Sequence, residues 1–507
     1  MTDKTLYLTT TIPYVNASPH IGFALELVQA DALARYRKGE GWTVRLQTGS
    51  DENSLKNVLA AEKAGCEPSA FVADNAKRFL DLQSALNIDA DDFIRTSCDP
   101  RHRPAVEKLW KACEASGDLY RRSYAGLYCT GCEQFYTDSE LVGGCCPEHL
   151  TRPEEVTETN WFFRLSRYQQ RLREAIETDA LRISPPSRRN EILALIKSGL
   201  NDFSVSRSAE RARGWGIPVP GDPEQTIYVW YDALGNYLSA LGYGEDDETE
   251  ALRRFWFDAR RREHLVGKGV TRFHAVYWPA ILLSAGLPLP TTIHVHGYVT
   301  VDGRKIGKSN GNAIDPVPLA ARYGADAVRY FLLRHIRAHE DGDFTVERLE
   351  AAYTGELIAQ LGNLFNRILS IAAKQDIAVR VELDATIDEE KVLAIRRSVE
   401  KAIETASFHE ALAAIFDLVS HANKRVVELE PWTLVKALNA AAGADRPQLE
   451  TRLLACFAAL GGLLREIVLL LQPFLPKTAE TLARQIGILG GAERSDVRIV
   501  PVFPKLT

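Results

Sequence analysis

The chain has 507 residues, of which 46% are hydrophobic and 25% charged, fractions that are typical of a soluble globular protein. Its length predicts about three domains, and its formal net charge of -6 argues against broad, non-specific nucleic-acid binding. The N-terminal residues lack the basic segment and apolar run of a signal peptide, and the longest apolar stretches fall short of the ~20 residues that span a bilayer. Eight cysteines are too few for a disulfide scaffold, which favours a reducing, cytoplasmic compartment.

The N-terminal region alternates predicted strands and helices. Residues 6–15 are rich in β-branched and aromatic side chains, which predicts a strand that ends near Pro13. Apolar residues then recur at helical spacing over residues 23–38, and residues 42–52 predict a second strand that ends in a turn. The order of strand, helix and strand predicts a parallel α/β unit.

Residues 120–165 differ from this pattern, because they lack helical periodicity and contain four of the eight cysteines. They predict an inserted module with a zinc site on two tight turns, formed by Cys129 with Cys132 and Cys146 with His149. Four protein ligands leave no open coordination position, so this Zn²⁺ is expected to be structural. Cys145 is an alternative ligand to Cys146, and buried thiols beside a surface histidine are the alternative to a metal.

Two short motifs predict contacts to a polyphosphate. Pro19-His20-Ile21-Gly22 lies where the first predicted strand and loop meet the first helix, whose N-terminus offers unpaired N–H groups to phosphate. Gly22 lets a nucleotide approach the backbone, and His20 is placed to donate a hydrogen bond to phosphoryl oxygens. The motif alone is equally typical of a capped helix with an incidental histidine.

The second motif is a glycine-punctuated polar loop around residues 303–312. Lys305, Lys308 and Ser309 give it two ammonium groups and a hydroxyl, which suit a polyphosphate. A solvated basic turn is the alternative interpretation of this loop. The α/β pattern resumes at about residue 226, and from about residue 351 a long helical periodicity predicts a helical bundle.

Together, the segment from His20 to Phe23 and the loop from Lys305 to Ser309 resemble the two signature motifs of class I aminoacyl-tRNA synthetases. Further segments are similar to the methionyl-tRNA synthetase family, namely IPYVNASPHIG, TGSDE, YVWYDALGNYLSALGY, RFHAVYWPA and HVHGYVTVDGRKIGKSNGN. The resemblance covers about residues 5–480. It implies ATP-dependent activation of methionine to methionyl-adenylate and transfer of methionine to tRNA(Met).

The resemblance also implies an architecture, an α/β Rossmann-like nucleotide-binding catalytic domain with a zinc-bearing insertion, followed by an all-α anticodon-binding bundle. The expected boundaries are 1–115 and 226–295 for the two catalytic halves, 116–225 for the insertion, 296–350 for a stem-contact segment and 351–507 for the bundle. Mg²⁺ is expected with ATP. Since some family members carry an appended dimerisation domain that this sequence lacks, the resemblance implies a monomer.

The resemblance assigns roles to individual residues. The catalytic residues are His20, Lys305 and Lys308, and the ATP-binding set adds Gly22 and Ser309. The methionine-binding residues are Ile12, Tyr14, Asp51, Trp230, Leu234, Tyr237 and His274. Asp51 is expected to face the substrate ammonium, with a turn-capping role as its alternative, and Tyr14 and His274 are expected to act as weak donors to the sulfur atom. The anticodon-binding residues are Asn363, Arg367 and Trp432, with Lys424 and Arg425 as further phosphate contacts.

The sequence departs from the family pattern at several positions, namely Phe23, Asn53, Ser54, Gly269, Ile306 and Gly307. Our interpretation is a divergent, active second copy of the enzyme with altered sensitivity to inhibitors. One alternative is an adenylate-forming enzyme for methionine or an analogue with an acceptor other than tRNA. The other is a catalytically weak, tRNA-binding regulatory paralogue.

Overall fold

The computed structural model describes residues 4–129, 134–136, 138–147, 150–306, 312–375, 377, 389–442, 445–488 and 499–506. The chain divides into two compact units. Unit 1 consists of Met1–Ala30, Glu40–Ser84 and Asp89–His296, and unit 2 consists of Asp31–Gly39, Ala85–Ile88 and Gly297–Thr507.

The strands, in chain order, are β1 Thr5–Thr10, β2 Thr43–Ser50, β3 Asp92–Arg95, β4 Leu119–Cys129, β5 Gln134–Tyr136, β6 Glu154–Phe163, β7 Arg182–Ser184, β8 Phe203–Ser204, β9 Ser206–Ser208, β10 Pro218–Val219, β11 Asp222–Ile227, β12 Arg261–Gly267, β13 Thr292–His296, β14 Val299–Val301, β15 Arg304–Lys305 and β16 Gly342–Asp343.

The α-helices are α1 Ile21–Gly39, α2 Leu55–Ala64, α3 Pro68–Ala85, α4 His102–Ala115, α5 Gln169–Glu177, α6 Pro186–Lys197, α7 Val229–Leu234, α8 Asn236–Ser239, α9 Glu250–Leu252, α10 Trp278–Ser284, α11 Pro316–Tyr323, α12 Ala325–Arg334, α13 Val346–Ala352, α14 Asn363–Lys374, α15 Glu389–Glu404, α16 Phe408–Leu429, α17 Pro431–Ala440, α18 Arg446–Leu471 and α19 Pro476–Gln485. Wider π-helical turns occupy Arg253–Phe257, Phe273–Tyr277 and Tyr353–Gly362, and 3₁₀ turns occupy Asp138–Glu140, Leu165–Tyr168 and Lys268–Val270.

Unit 1 is built on a parallel sheet. In the described residues its strand order is β3-β2-β1-β12-β13-β7, with every neighbouring pair parallel. All six residues of β1 are buried, as expected for a strand covered on both faces of a sheet. β2 lies on one side of β1 and β12 on the other, so the strand order reverses at β1. In a parallel sheet such a reversal opens a crevice at the carboxyl ends of the two neighbouring strands. The predicted parallel, Rossmann-like sheet is confirmed.

The region expected to form an insertion contains antiparallel structure. β4 and β6 pair from Leu119 with Phe163 to Tyr128 with Glu154, and β5 and β8 flank them in a four-stranded sheet. A smaller antiparallel sheet has the order β10-β11-β9. The first predicted strand ends earlier than expected, at Thr10 rather than near Pro13, and Pro13 lies in the loop that was expected to follow it.

Unit 2 is mainly helical, which confirms the helical C-terminal region. α16 packs against α15 and α18, and it buries ten residues, including Leu412, Ile415 and Phe416. α18 is long and apolar enough, by length and composition alone, to cross a membrane, a possibility that the short apolar runs in the sequence did not suggest. However, 61% of its apolar window is buried, and its buried Glu466 accepts hydrogen bonds from Arg396 and Arg465. These contacts identify α18 as a core helix of unit 2.

A buried arginine joins several segments of unit 2. The guanidinium of Arg329, on α12, is fully buried and lies 2.7 Å from a carboxylate oxygen of Asp31. It also donates hydrogen bonds to the carbonyl oxygens of Leu86, Pro473 and Phe474 at 3.3, 3.1 and 2.8 Å. Because a buried charge must be paired and hydrogen-bonded, these contacts fix the helices that supply them.

Candidate active site

A cavity of about 270 Å³ opens at the carboxyl ends of β1 and β2 in unit 1. It is lined by the loop that follows β1, the turn that follows β2, the helices α7 and α8, and the π-helical turn that contains His274. All seven residues expected to bind methionine lie on its wall, namely Ile12, Tyr14, Asp51, Trp230, Leu234, Tyr237 and His274. These residues are far apart in the sequence, and the reversal of strand order at β1 brings them together.

Aromatic rings form one side of the cavity. The Trp230 indole stacks on Phe273 with ring centroids 3.7 Å apart and an interplanar angle of 9°, and it meets Tyr14 edge-on at 6.3 Å. Trp230 lies on α7 and is partly exposed. β11 ends at Ile227, and Tyr228 is the residue before the helix, so the indole points from the first turn of α7 into the cavity.

A tyrosine–histidine pair forms another part of the wall. His274 Nδ1 donates to the carbonyl oxygen of Val270 at 3.0 Å, and the Tyr237 hydroxyl donates to His274 Nε2 at 2.7 Å. Burial lowers the pKa of His274 to about 4 and raises the pKa of Tyr237, so both groups are neutral at pH 7. Because both ring nitrogens of His274 are engaged in this way, the expected donation from His274 to a sulfur atom is not supported.

Asp51 lines the cavity and is only 2% exposed. Its backbone N–H donates to the carbonyl oxygen of Pro13, and its own carbonyl oxygen accepts from the side-chain amide of Asn57 at 2.9 Å. The bond to Pro13, with the isolated parallel bridge between Tyr14 and Asp51, holds the turn after β2 against the loop after β1, and the bond from Asn57 joins the turn to α2.

His20 lies at the start of α1, and two neighbours, Gly22 and Phe23, fix its ring. The backbone N–H of Gly22 donates to His20 Nδ1 at 3.1 Å, which places the proton of the neutral imidazole on Nε2. Phe23 packs on the imidazole with ring centroids 4.4 Å apart and meets Phe79 edge-on at 5.5 Å. A Cβ at Gly22 would lie 2.9 Å from His20 Cε1, so glycine is also needed here for the position of the histidine.

The second signature loop belongs to unit 2, and only its base is described. β14 and β15 form a hairpin whose turn residues Asp302 and Gly303 have φ of 52° and 68°, which favours Asp-Gly. The carboxylate of Asp343 accepts from the Thr300 hydroxyl and from the Gly303 backbone N–H, both at 2.7 Å. The side chain of Lys305 and the residues Lys308 and Ser309 lie outside the described part of the structure.

Two of the four candidate zinc ligands are described. Cys129 and Cys146 are buried in one cluster with Tyr136, whose hydroxyl lies 3.5 Å from Cys146 Sγ. Cys145 is more exposed and is absent from this cluster, which favours Cys146 as the ligand. Cys132 and His149 lie outside the described residues, and the described residues alone contain no set of three candidate ligands.

The three candidate anticodon residues come together in unit 2. Asn363 and Arg367 are exposed one turn apart on α14, and the guanidinium carbon of Arg367 lies 4.5 Å from the centre of the Trp432 ring. Trp432, in the first turn of α17, is 38% exposed. Arg425 pairs with Glu428, so it is less suited to a phosphate contact than Lys424, which is exposed.

The structure adds residues that the sequence did not reveal. Glu26 accepts hydrogen bonds from the Thr11 backbone at 2.7 Å and from His296 Nε2 at 2.8 Å, and it therefore connects α1, the loop after β1 and the end of β13. Its sequence signal was an acidic residue, one of two with Asp31, in a helical run rich in apolar residues. Lys56 also lines the cavity, but no sequence pattern singled it out.

Asn53, one of the departures from the family pattern, has a defined place. Its amide donates to the Thr96 carbonyl oxygen at 3.2 Å and to Asp232 Oδ2 at 2.8 Å. The other oxygen of Asp232 lies 2.5 Å from Nε2 of the buried His102. Asn53 thus connects the turn that carries Asp51 to the helix that carries Trp230.

The chain is similar to known proteins over most of its length. A family model described as tRNA synthetases class I (M) matches residues 6–156 and 149–369. A methionine–tRNA ligase from Caldanaerobacter subterraneus subsp. tengcongensis is 40% identical over 490 residues, which cover 96% of this chain and 74% of that relative. One from a Nostoc species is 39% identical over 506 residues, with coverage of 98% and 92%.

A solved structure is also similar. Mycobacterium tuberculosis methionyl-tRNA synthetase bound by methionyl-adenylate superimposes with a TM-score of 0.86 and 35% sequence identity, covering 99% of both chains. The similarity therefore includes both the fold and the amino-acid sequence, over 99% of this chain.

Proposed function

The chain belongs to the methionyl-tRNA synthetases, the class I ligases that join methionine to its tRNA at the expense of ATP, and we propose that the cavity in unit 1 is its methionine site. The observation that carries this proposal is the convergence of seven separate residues on one cavity of about 270 Å³. Asp51 binds the substrate ammonium. The rings of Tyr14 and Trp230 contact the thioether, since sulfur packs favourably beside aromatic rings.

The hydrogen bonds of the cavity wall also favour a neutral, apolar substrate side chain. The Tyr237 hydroxyl and the neutral His274 ring satisfy one another, so neither requires a charged partner. A charged substrate side chain in this wall would lose its hydration without gaining a counter-ion. A thioether has no such hydration to lose and therefore suits the cavity.

The reaction has two steps. A carboxylate oxygen of methionine attacks the α-phosphorus of ATP and pyrophosphate leaves, and the terminal adenosine of tRNA(Met) then accepts the methionyl group. ATP enters as its Mg²⁺ complex. Such chemistry asks the protein for positioning and charge stabilisation more than for a general base. In our proposal His20 donates from Nε2 to phosphoryl oxygens, beside Gly22, and Lys305, Lys308 and Ser309 bind the departing pyrophosphate.

The insertion is proposed to hold one structural Zn²⁺ through Cys129, Cys132, Cys146 and His149. The burial of Cys129 and Cys146 in one cluster fits such a site, since thiolates removed from water need a cation. When bound, the metal supplies folding free energy to the insertion and takes no part in the reaction.

Asn363, Arg367 and Trp432 are proposed to bind the anticodon of tRNA(Met). Unpaired bases commonly stack on aromatic and guanidinium planes, and Arg367 already packs on the Trp432 ring. The domain boundaries given by the sequence remain part of this proposal, as do a monomeric state, a cytoplasmic location and the character of a divergent second copy with altered inhibitor sensitivity.

The methionine site is tested with Asp51→Asn, which removes the negative charge and keeps the size of the side chain. We expect the Kd of methionine, measured by isothermal titration calorimetry, to rise by tenfold or more, the scale of a lost charge pair in a desolvated site (about 2 kcal/mol or more). Asp81→Asn is the control, because Asp81 is exposed and paired with Lys77 on α3. An unchanged Kd in Asp51→Asn would contradict the assignment.

A further inference from the structure

Lys56 lines the cavity together with Asp51 and Tyr14, and Tyr14 pairs with Asp51 as an isolated bridge. It lies in the first turn of α2, and its Nζ is 4.8 Å from the centre of the Tyr14 ring, within the range of a cation–π contact. Ser54 caps this helix by accepting a hydrogen bond from the Lys56 backbone N–H at 3.0 Å. The cap fixes the backbone at Lys56, and the aromatic contact places its ammonium group near the Tyr14 ring.

The charges around the cavity match a zwitterion. Free methionine carries an ammonium group and a carboxylate at neutral pH, and Asp51 provides an anion for the first. Among the described residues that line the cavity, Lys56 alone carries a positive charge at pH 7, because burial lowers the pKa of His274 to about 4 and keeps it neutral. Asp51 and Lys56 therefore give the cavity wall one negative and one positive group, and Tyr14 adjoins both residues.

The position of Lys56 in its helix points in the same direction. A cation in the first turn of a helix opposes the helix dipole, and α2 has no acidic residue in that turn to compensate. A bound anion near Nζ would interact favourably with both the ammonium group and the helix N-terminus. The helix N-terminus and Lys56 thus both favour an anionic group on this side of the cavity.

We propose that Lys56 binds the carboxylate of methionine while Asp51 binds its ammonium group, so that the pair selects a free amino acid. This inference rests on the assignment of the cavity to methionine. In the first step the carboxylate oxygen forms a bond to the α-phosphorus, and the bond between that phosphorus and the bridging oxygen breaks, leaving pyrophosphate with the electron pair. The carboxylate loses its charge as the mixed anhydride forms, so its attraction to Lys56 is strongest before the reaction.

An interaction that is strongest in the ground state affects binding more than turnover. For Lys56→Met we therefore expect the KM of methionine in pyrophosphate exchange to rise by about tenfold, while kcat changes by no more than about threefold and the KM of ATP is unchanged. Lys56→Arg, which keeps the charge, should recover most of the affinity. Lys63→Met is the matched control, since Lys63 is exposed in the last turn of the same helix.

Methioninol separates the carboxylate contact from a structural role, because it keeps the ammonium and the thioether but lacks the carboxylate. By isothermal titration calorimetry, Lys56→Met should bind methionine about tenfold more weakly than the unaltered enzyme and methioninol equally well. Equal weakening of both ligands, no weakening of either, or an effect confined to the KM of ATP would overturn the proposal. If the unaltered enzyme binds neither ligand, the assignment of the cavity itself fails as well.

Discussion

The imidazole of His20 is held by its immediate sequence neighbours. Gly22 donates to one ring nitrogen, and Phe23 covers a face of the ring at 4.4 Å. The phenyl group stands where the family pattern has a second histidine, so one polar group is lost and a rigid packing surface is gained. The proton left on Nε2 is the one that a phosphoryl oxygen needs.

Gly22→Ala should therefore reduce adenylation through His20. The added Cβ would lie 2.9 Å from His20 Cε1 and 3.0 Å from Nδ1, so the ring must move. We expect pyrophosphate exchange to slow by about tenfold or more, the effect of misplacing one catalytic contact, with the unfolding temperature nearly unchanged. Gly39→Ala, in the last turn of α1 with nothing within 4 Å of the added Cβ, is the control. Equal rates in the two variants would contradict this role.

The neutral His274 links stability to pH. Its folded pKa of about 4 lies below its ordinary value of 6.5, so the unfolded chain takes up the proton first as the pH falls. This residue therefore favours unfolding increasingly between pH 6.5 and about 4. Its contribution between pH 7 and pH 5 is about 2 kcal/mol.

His274→Gln cannot take up that proton. We expect its free energy of unfolding, from urea denaturation followed by circular dichroism, to fall less between pH 7 and pH 5 than that of the unaltered protein. An equal fall in both proteins would mean that His274 is already charged in the folded state.

The elements that carry the site show which features a sequence pattern can reveal. The helix predicted over residues 23–38 is α1, Ile21–Gly39, and its apolar periodicity was sufficient to find it. Residues 228–231 are dense in β-branched and aromatic side chains, which favour a strand by local propensity, yet the chain forms α7 there. The helix is favoured because it lets Asp232 reach Asn53 and His102, which is a tertiary effect that local propensity does not contain.

The hairpin of β14 and β15 carries the second signature loop, and Asp343 holds its turn. Asp343→Ala removes the acceptor for Gly303 and Thr300, so the base of the loop becomes less ordered. We expect the kcat of pyrophosphate exchange to fall by about tenfold, with the KM of methionine unchanged. Asp343→Asn keeps an oxygen acceptor and should retain most of the activity. A loss that is equal in both variants would point to the charge of Asp343 rather than to its hydrogen bonds.

At the scale of the whole molecule, the fold class and the assignment to the synthetase family followed from a few ordered motifs, because each needs a particular backbone position. The side chains that line the cavity or hold its loops in place were less predictable. Lys56 and Glu26 gained their roles from strands and helices that meet only in the folded chain, and a lysine in a helix is ordinarily a surface residue. The residues Cys132, His149, Lys308 and Ser309 remain predictions.

The stability of unit 2 depends on Arg329. Arg329→Leu removes one cationic partner from the buried carboxylate of Asp31 and frees three carbonyl oxygens from their donor. We expect a loss of about 3–5 kcal/mol, as is typical when one partner of a buried ion pair is removed. Arg322→Leu should cost less than about 1 kcal/mol, since its pairing with Glu350 is exposed. Urea denaturation of both variants measures the difference, and similar losses would exclude a special role for Arg329.

The identity of the activated amino acid tests the central claim most directly. Exchange of labelled pyrophosphate into ATP should be measured with each of the twenty amino acids, and charging of tRNA(Met) should be measured with the same preparation. We predict exchange that depends on methionine, and transfer of methionine to tRNA(Met). Exchange that depends on another amino acid, or no exchange and no charging with methionine, would contradict the account.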